Sequence, residues 1–144
     1  MWLQKTIQLS PKGRGFHLVT DEILNQFPEI RSIKIGLAHL LLQHTSASLS
    51  INENADSSVR RDMESYYNEL APEGAAYYEH TCEGSDDMPA HLKSSLLGVS
   101  LTLPIQDGCF HLGAWQGLYL GEHRNDAGAR IVIATLQGMD KGEG

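Results

Sequence analysis

From Val99 to Ile105 the chain reads Val-Ser-Leu-Thr-Leu-Pro-Ile, an alternation of apolar and polar residues that gives one strand. Gln106-Asp107-Gly108 is a turn, and Cys109 to Leu112 resumes extended structure. Trp115 to Leu120 makes another strand, Asn125 to Gly128 a further turn, and Arg130 to Leu136 a last strand. Working outward, Pro89 to Gly98 is a helix, with proline in its first turn and glycine at its end. Before it, Tyr77 to Asp87 is polar and irregular. Asp56 is a good N-cap for a helix in which Val59, Met63, Tyr66 and Leu70 share one face. Gly36 to Ile51 reads as one long strand or as two strands meeting at a bend. Thr20 caps a short helix through about Gln26, and the alternating segment Met1 to Leu9 is the first strand. Strands flanking about three helices make an α+β fold, and no linker or repeat divides residues 1–144, which read as a single domain.

Charge narrows the partners. Eighteen acidic residues stand against 11 basic ones, for a net charge of −7. Such a surface repels phosphate backbones and acidic lipid, so neither nucleic acid nor membrane is an expected partner. The longest apolar run, near Leu40-Leu41-Leu42, is far too short to span a bilayer. Cys82 and Cys109 show no Cys-x-x-Cys spacing and read as reduced thiols, and the expected location is the cytoplasm.

Three segments carry candidate chemistry. In His39-Leu40-Leu41-Leu42-Gln43-His44-Thr45-Ser46-Ala47-Ser48, a continuous strand would put His44, Ser46 and Ser48 on one face, like a pocket wall. His39, among leucines, then reads as a packed residue. The second segment runs from His80 through Asp86-Asp87-Met88-Pro89-Ala90-His91 to Lys93-Ser94. Asp86 or Asp87 would cap the helix, while the free N–H groups at its start would suit a phosphate or carboxylate. Two histidines beside a carboxylate pair are equally the parts of a metal site, although the His80-to-His91 spacing matches no strict zinc signature. The third segment holds Trp115 and Gln116 between glycines, where the indole would stack on a flat ring or simply sit in the core.

These segments together resemble the YjbQ-like family, often described as secondary thiamine-phosphate synthase enzymes. The likeness runs over nearly the whole chain. It includes Gly15-Phe16-His17, His44-Thr45-Ser46-Ala47, Asn52-Glu53, Asp56, Asp62, His80, Asp86-Asp87 and the Ala90-His91-Leu92-Lys93-Ser94 helix. It continues through Gly113-x-Trp115-Gln116, Glu122 and Arg130. The resemblance implies a bent, sandwich-like mixed sheet, a homotrimer with pockets near subunit boundaries, and a site where His44 and His91 bind a metal or an anion. Many relatives have Asn at Met88 and Glu-Leu-Asp-Gly at Glu122-His123-Arg124, which leaves His123 as a substitute polar group or a surface change.

The expected function is that of a small metal-assisted enzyme on a phosphorylated small molecule. Thiamine-phosphate synthesis, a transferase reaction, is the form the resemblance implies; the alternative is a trimeric module that binds a metabolite or metal without turnover. His44, His91 and Asp87 are the candidate catalytic residues. His44, His80, His91 and Asp86 are the candidate ligands of a divalent metal, zinc or magnesium. Thr45, Ser46, Lys93, Ser94, Trp115, Gln116 and Arg130 are the candidate contacts to a small anionic molecule.

Overall fold

The computed structural model describes residues 1–142. In chain order the strands are β1 (Trp2–Leu9), β2 (Gly15–Leu18), β3 (Ile33–Leu42) and β4 (Ala47–Glu53), then β5 (Ser100–Gln106), β6 (Cys109–Phe110), β7 (Gln116–Glu122) and β8 (Arg130–Asp140). The helices are α1 (Thr20–Asn25), α2 (Ser57–Leu70) and α3 (Asp87–Leu97), with a 3-10 turn at Pro28–Ser32. The α+β class holds. The sheet is not mixed, however. Five strands pair in the order β1-β8-β3-β5-β6 and three in the order β2-β7-β4, and all the described pairings are antiparallel. One apolar row per strand, facing a single core, suits antiparallel sheets covered on one side.

Alternation builds that core. Ala38, Leu40 and Leu42 of β3 point inward with Val132, Ala134 and Leu136 of β8, and they join Leu49, Leu118 and Leu120 of the smaller sheet in one apolar cluster. The same alternation turns Leu37, His39 and Leu41 outward, so His39 is exposed and not packed. The run of leucines conceals this, because β3 carries leucine on both of its faces. The outer face of the larger sheet therefore shows Trp2 at 70% exposure, Ile35 at 62% and Leu37 at 48%.

The helix ends follow local signals only in part. Asp56 caps α2 as expected, its carboxylate accepting from the Ser58 N–H at 2.9 Å. Thr20 does not cap α1: Val19 occupies that position, and the Thr20 hydroxyl accepts from the Leu118 N–H at 2.9 Å, tying α1 to β7. On α2 the expected apolar face is rotated. Tyr66 and Leu70 are exposed, while Tyr67 turns in against Phe16 of β2, ring to ring at 6.0 Å. The chain between Leu42 and Ala47 leaves the sheet, so His44, Ser46 and Ser48 do not share the face of one strand.

Candidate functional site

Asp87 opens α3 and is almost wholly buried. Its Oδ1 accepts from Arg124 Nη1 at 2.6 Å, and its Oδ2 lies 2.7 Å from His80 Nε2 and 3.2 Å from His91 Nε2. His91 sits one helical turn beyond Asp87, so the helix itself places imidazole and carboxylate on one face. The polar loop before α3 brings His80 against them, with the two rings 5.2 Å apart. One nitrogen of each ring and one carboxylate oxygen then fall within 4.8 Å of one another.

The proton positions follow from the partners. His91 Nδ1 lies 2.8 Å from the Thr45 carbonyl oxygen, which can only accept, so Nδ1 carries the hydrogen. In the neutral ring Nε2 is therefore a bare lone pair, and it faces the Asp87 carboxylate. That contact is repulsive until a cation, whether a proton or a metal ion, stands between them. A carbonyl that fixes the tautomer of an imidazole is the usual outer support of a metal-binding histidine.

Charge points the same way. Asp86 is turned from the cluster: its Oδ2 accepts from Arg124 Nε at 2.8 Å and from the Asn125 N–H at 2.9 Å. Burial opposes ionisation of Asp86, but these two donors outweigh it and hold the carboxyl below its ordinary range. Two aspartates against one arginine leave a net charge of −1 beside the two rings, which favours a cation at the start of α3. An anion has little to bind there. The Asp87 N–H donates to Gly84 O at 3.2 Å, the Ala90 N–H to Asp86 O at 3.1 Å, and Pro89 has none to give. Neither aspartate caps the helix with its side chain, because Arg124 holds both carboxylates.

His44 stands apart from this cluster. Its Nε2 accepts from the Ile131 N–H at 2.8 Å, which places the ring hydrogen on Nδ1. Burial, then the Arg130 charge, lowers its pKa, with Glu122 opposing, so the ring is a neutral hydrogen-bond donor. His44 and His91 do line one pocket of about 340 Å³, together with Thr45, Ser94 and Ser95. On the other side of the cluster His80 borders a second pocket of about 340 Å³ with Tyr78, Thr81, Ser85 and Met88. A hollow of about 380 Å³ between α1 and β6 is mostly apolar, and none of the expected site residues lines it.

The expected phosphate contacts are committed elsewhere. Lys93 is fully buried and donates to Asn68 Oδ1 at 2.6 Å; burial, then the nearby Arg14 charge, lowers its pKa. Arg130 is paired through Nε and Nη2 with Glu122 at 2.8 and 2.6 Å, and it also donates to the Ser46 carbonyl. Trp115, 68% exposed, and Gln116, bonded back to the Gly113 N–H, lie at the start of β7. Glu122 ends that strand, about 20 Å away at the rise of an extended chain. Within one chain they are remote from the histidines.

Three consecutive residues carry more of the site than their sequence context suggests. Glu122 partners Arg130, Arg124 holds both aspartates, and His123 is buried with Nε2 at 2.8 Å from Ser48 Oγ. A side chain at Gly121 would overlap the Ser48 hydroxyl and the His123 ring, so this close packing requires glycine. Burial, followed by the charges of Lys93, Arg130 and Arg14, pushes the His123 pKa down to about 3. The available signal is the pair Asp86-Asp87: two adjacent carboxylates at a helix start need a cation, and Arg124 is the one supplied.

These observations define a two-sheet α+β protein with a histidine–aspartate cluster at the start of a helix whose ligand atoms are close enough together to hold a metal ion. Residues 5–139 match the family model described as UPF0047 protein YjbQ-like. The chain belongs to this YjbQ-like (UPF0047) family. It is 59% identical to UPF0047 protein YjbQ of Escherichia coli O157:H7, over 96% of this chain and 99% of that protein. It is 38% identical to UPF0047 protein sll1880 of Synechocystis, over 94% and 91%. Among solved structures, the conserved hypothetical protein TT1486 of Thermus thermophilus superposes with a TM-score of 0.77 at 32% identity, covering 90% of this chain and 97% of that one.

Proposed function

We propose that this protein is a metal-dependent enzyme acting on a small phosphorylated molecule, with the metal held by His80, Asp87 and His91. The observation that carries the reading is the His91 ring, whose Nδ1–H is spent on Thr45 O while its bare Nε2 faces Asp87 Oδ2 beside His80 Nε2. A divalent ion bound there supplies positive charge and Lewis acidity to a phosphate oxygen. That charge matters because Lys93, Arg124 and Arg130 are all engaged with protein partners. His44 donates from Nδ1 to a molecule in the pocket it shares with His91, and the Ser94 and Ser95 hydroxyls fix its orientation.

Thiamine-phosphate synthesis is the specific form proposed. It joins a pyrimidine diphosphate to a thiazole phosphate with diphosphate leaving, and it asks for charge on the leaving group more than for a general base. The pocket fits that demand, since among the described residues its lining contains no carboxylate to serve as base. The same feature favours a second reading, a module that binds metabolite or metal without turnover. Metal analysis of the purified protein, and turnover of both thiamine precursors with and without added divalent metal, separates the two. Metal-dependent product supports the enzyme, metal without product supports the module, and absence of bound metal overturns the enzyme and the metal-binding form of the module.

A homotrimer is proposed with it, on the resemblance and on the outward apolar row of Trp2, Ile35 and Leu37, which a neighbouring subunit would cover. Light scattering should return about three times the 15.9 kDa chain mass. A monomer mass overturns the trimer.

A further inference from the structure

We propose that Arg124 determines which metal this centre takes, by withholding carboxylate oxygens from it. The inference rests on the metal reading above. Arg124 leaves the end of β7 and spreads its guanidinium over the start of α3: Nε donates to Asp86 Oδ2 at 2.8 Å, Nη1 to Asp87 Oδ1 at 2.6 Å, and Nη2 to the Glu83 carbonyl at 2.9 Å. The arginine is itself held in place, its own N–H donating to Glu122 Oε2 at 3.1 Å. Of the four oxygens on the two aspartates, the one turned to the imidazoles is Asp87 Oδ2.

The donor set that results is two imidazole nitrogens and one carboxylate oxygen, with Asp87 restricted to a single point of attachment. Nitrogen-rich sites with one carboxylate and open positions suit zinc and its neighbours in the transition series. Magnesium, calcium and manganese favour sites dominated by oxygen. Arg124 thus keeps a centre that contains two adjacent aspartates from behaving as an oxygen site. Without the guanidinium, Asp87 can turn both oxygens to the cluster and Asp86 loses one of its two donors.

Ratios of affinity separate this role from a general structural one. Removing a positive charge strengthens binding of every divalent ion together, and loosening the loop from His80 to Asp86 weakens them together; neither changes their order. Freed carboxylate oxygens favour the hard ions selectively. The experiment measures zinc and manganese affinities by chelator competition for the full-length wild type, Arg124→Met and Arg124→Lys, with folding checked by circular dichroism. Arg124→Met retains the aliphatic stem without the charge, and Arg124→Lys engages one carboxylate at a time.

The expected result is a fall of at least tenfold in the zinc-to-manganese affinity ratio for Arg124→Met, with Arg124→Lys in between. Should the methionine variant fail to fold, a severalfold fall in the lysine variant carries the same conclusion. An unchanged ratio in every variant that folds, with wild type still binding zinc, overturns the role of Arg124 and leaves the metal centre standing. A wild type that binds neither ion overturns both.

Discussion

Replacing His123 by glutamine is expected to flatten the acid limb of the stability profile. His123 is 1% exposed, its Nδ1 has no partner among the described residues, and three cations lie near enough to oppose its protonation. Its pKa falls from 6.5 to about 3 on folding. Above the unfolded value both states are neutral and no penalty arises. As the pH falls below 6.5 the unfolded ring takes a proton that the folded ring refuses, so stability is lost progressively down to about pH 3. Each pKa unit corresponds to about 1.4 kcal/mol, so the loss attributable to this ring is roughly 2 kcal/mol between about pH 7.5 and about pH 5. The assay is urea unfolding followed by circular dichroism at both pH values, at fixed protein concentration and with chelator present so that metal release does not contribute. Contributions from His44, whose pKa is also lowered by burial, are common to both proteins and cancel in the difference. Parallel pH profiles for wild type and His123→Gln would refute the reasoning, as would an imidazole resonance of His123 titrating near 6.5 in the folded protein.

The site yields two further expectations. His91→Ala should weaken zinc binding on the order of a hundredfold or more, since even an outer partner of a ligand is worth about 10–100-fold. His44→Ala should leave zinc affinity within a few-fold, because its Nε2 is spent on the Ile131 N–H; chelator competition on both variants checks the contrast. Arg130→Met strands a fully buried Glu122 and should cost about 3–5 kcal/mol in urea unfolding, while removing both charges in Arg130→Met/Glu122→Leu should recover most of it. A double variant no more stable than the single one would contradict the view that the cost is an unpaired buried charge.

The fold is legible where one kind of information suffices. The strand at Val99–Ile105 is announced by alternation, and α2 by the cap at Asp56, because strand periodicity and capping are local properties. Two features are not local. Which of two leucine-bearing faces of β3 enters the core depends on the opposing sheet, so the sequence reading puts His39 on the wrong side. Gly15–Leu18 is too short to show a period, and it is a strand only because β7 pairs with it. In the site, His80, Asp87 and His91 are visible as residue types at one loop and one helical turn. The fates of Lys93, Arg130 and Asp86 are not, since a sequence shows a charge without showing whether a partner already holds it.

The motif His44-Thr45-Ser46 shows what that difference costs a sequence reading. Its side chains suggest a wall of hydroxyls and an imidazole, yet much of its contribution to the site comes through the backbone. The Thr45 carbonyl fixes the tautomer of His91, and the Ser46 carbonyl accepts from Arg130. Arg130 in turn grips Glu122 with two bonds, Glu122 Oε2 also accepts from the Arg124 N–H, and Arg124 holds Asp87. The turn between β3 and β4 is thereby held through two adjacent carbonyls, one by the helix that carries His91 and the other by Arg130 at the start of β8. Both attachments lead back to Asp87, from opposite sides of its carboxylate. Such a loop of bonds resists small displacements, because moving any member strains two contacts at once, and a cation site needs its donors held to a fraction of an ångström. Thr45, Ser46 and Arg130, which look like substrate contacts in the sequence, are thus part of the frame that holds His91 and Asp87 in place.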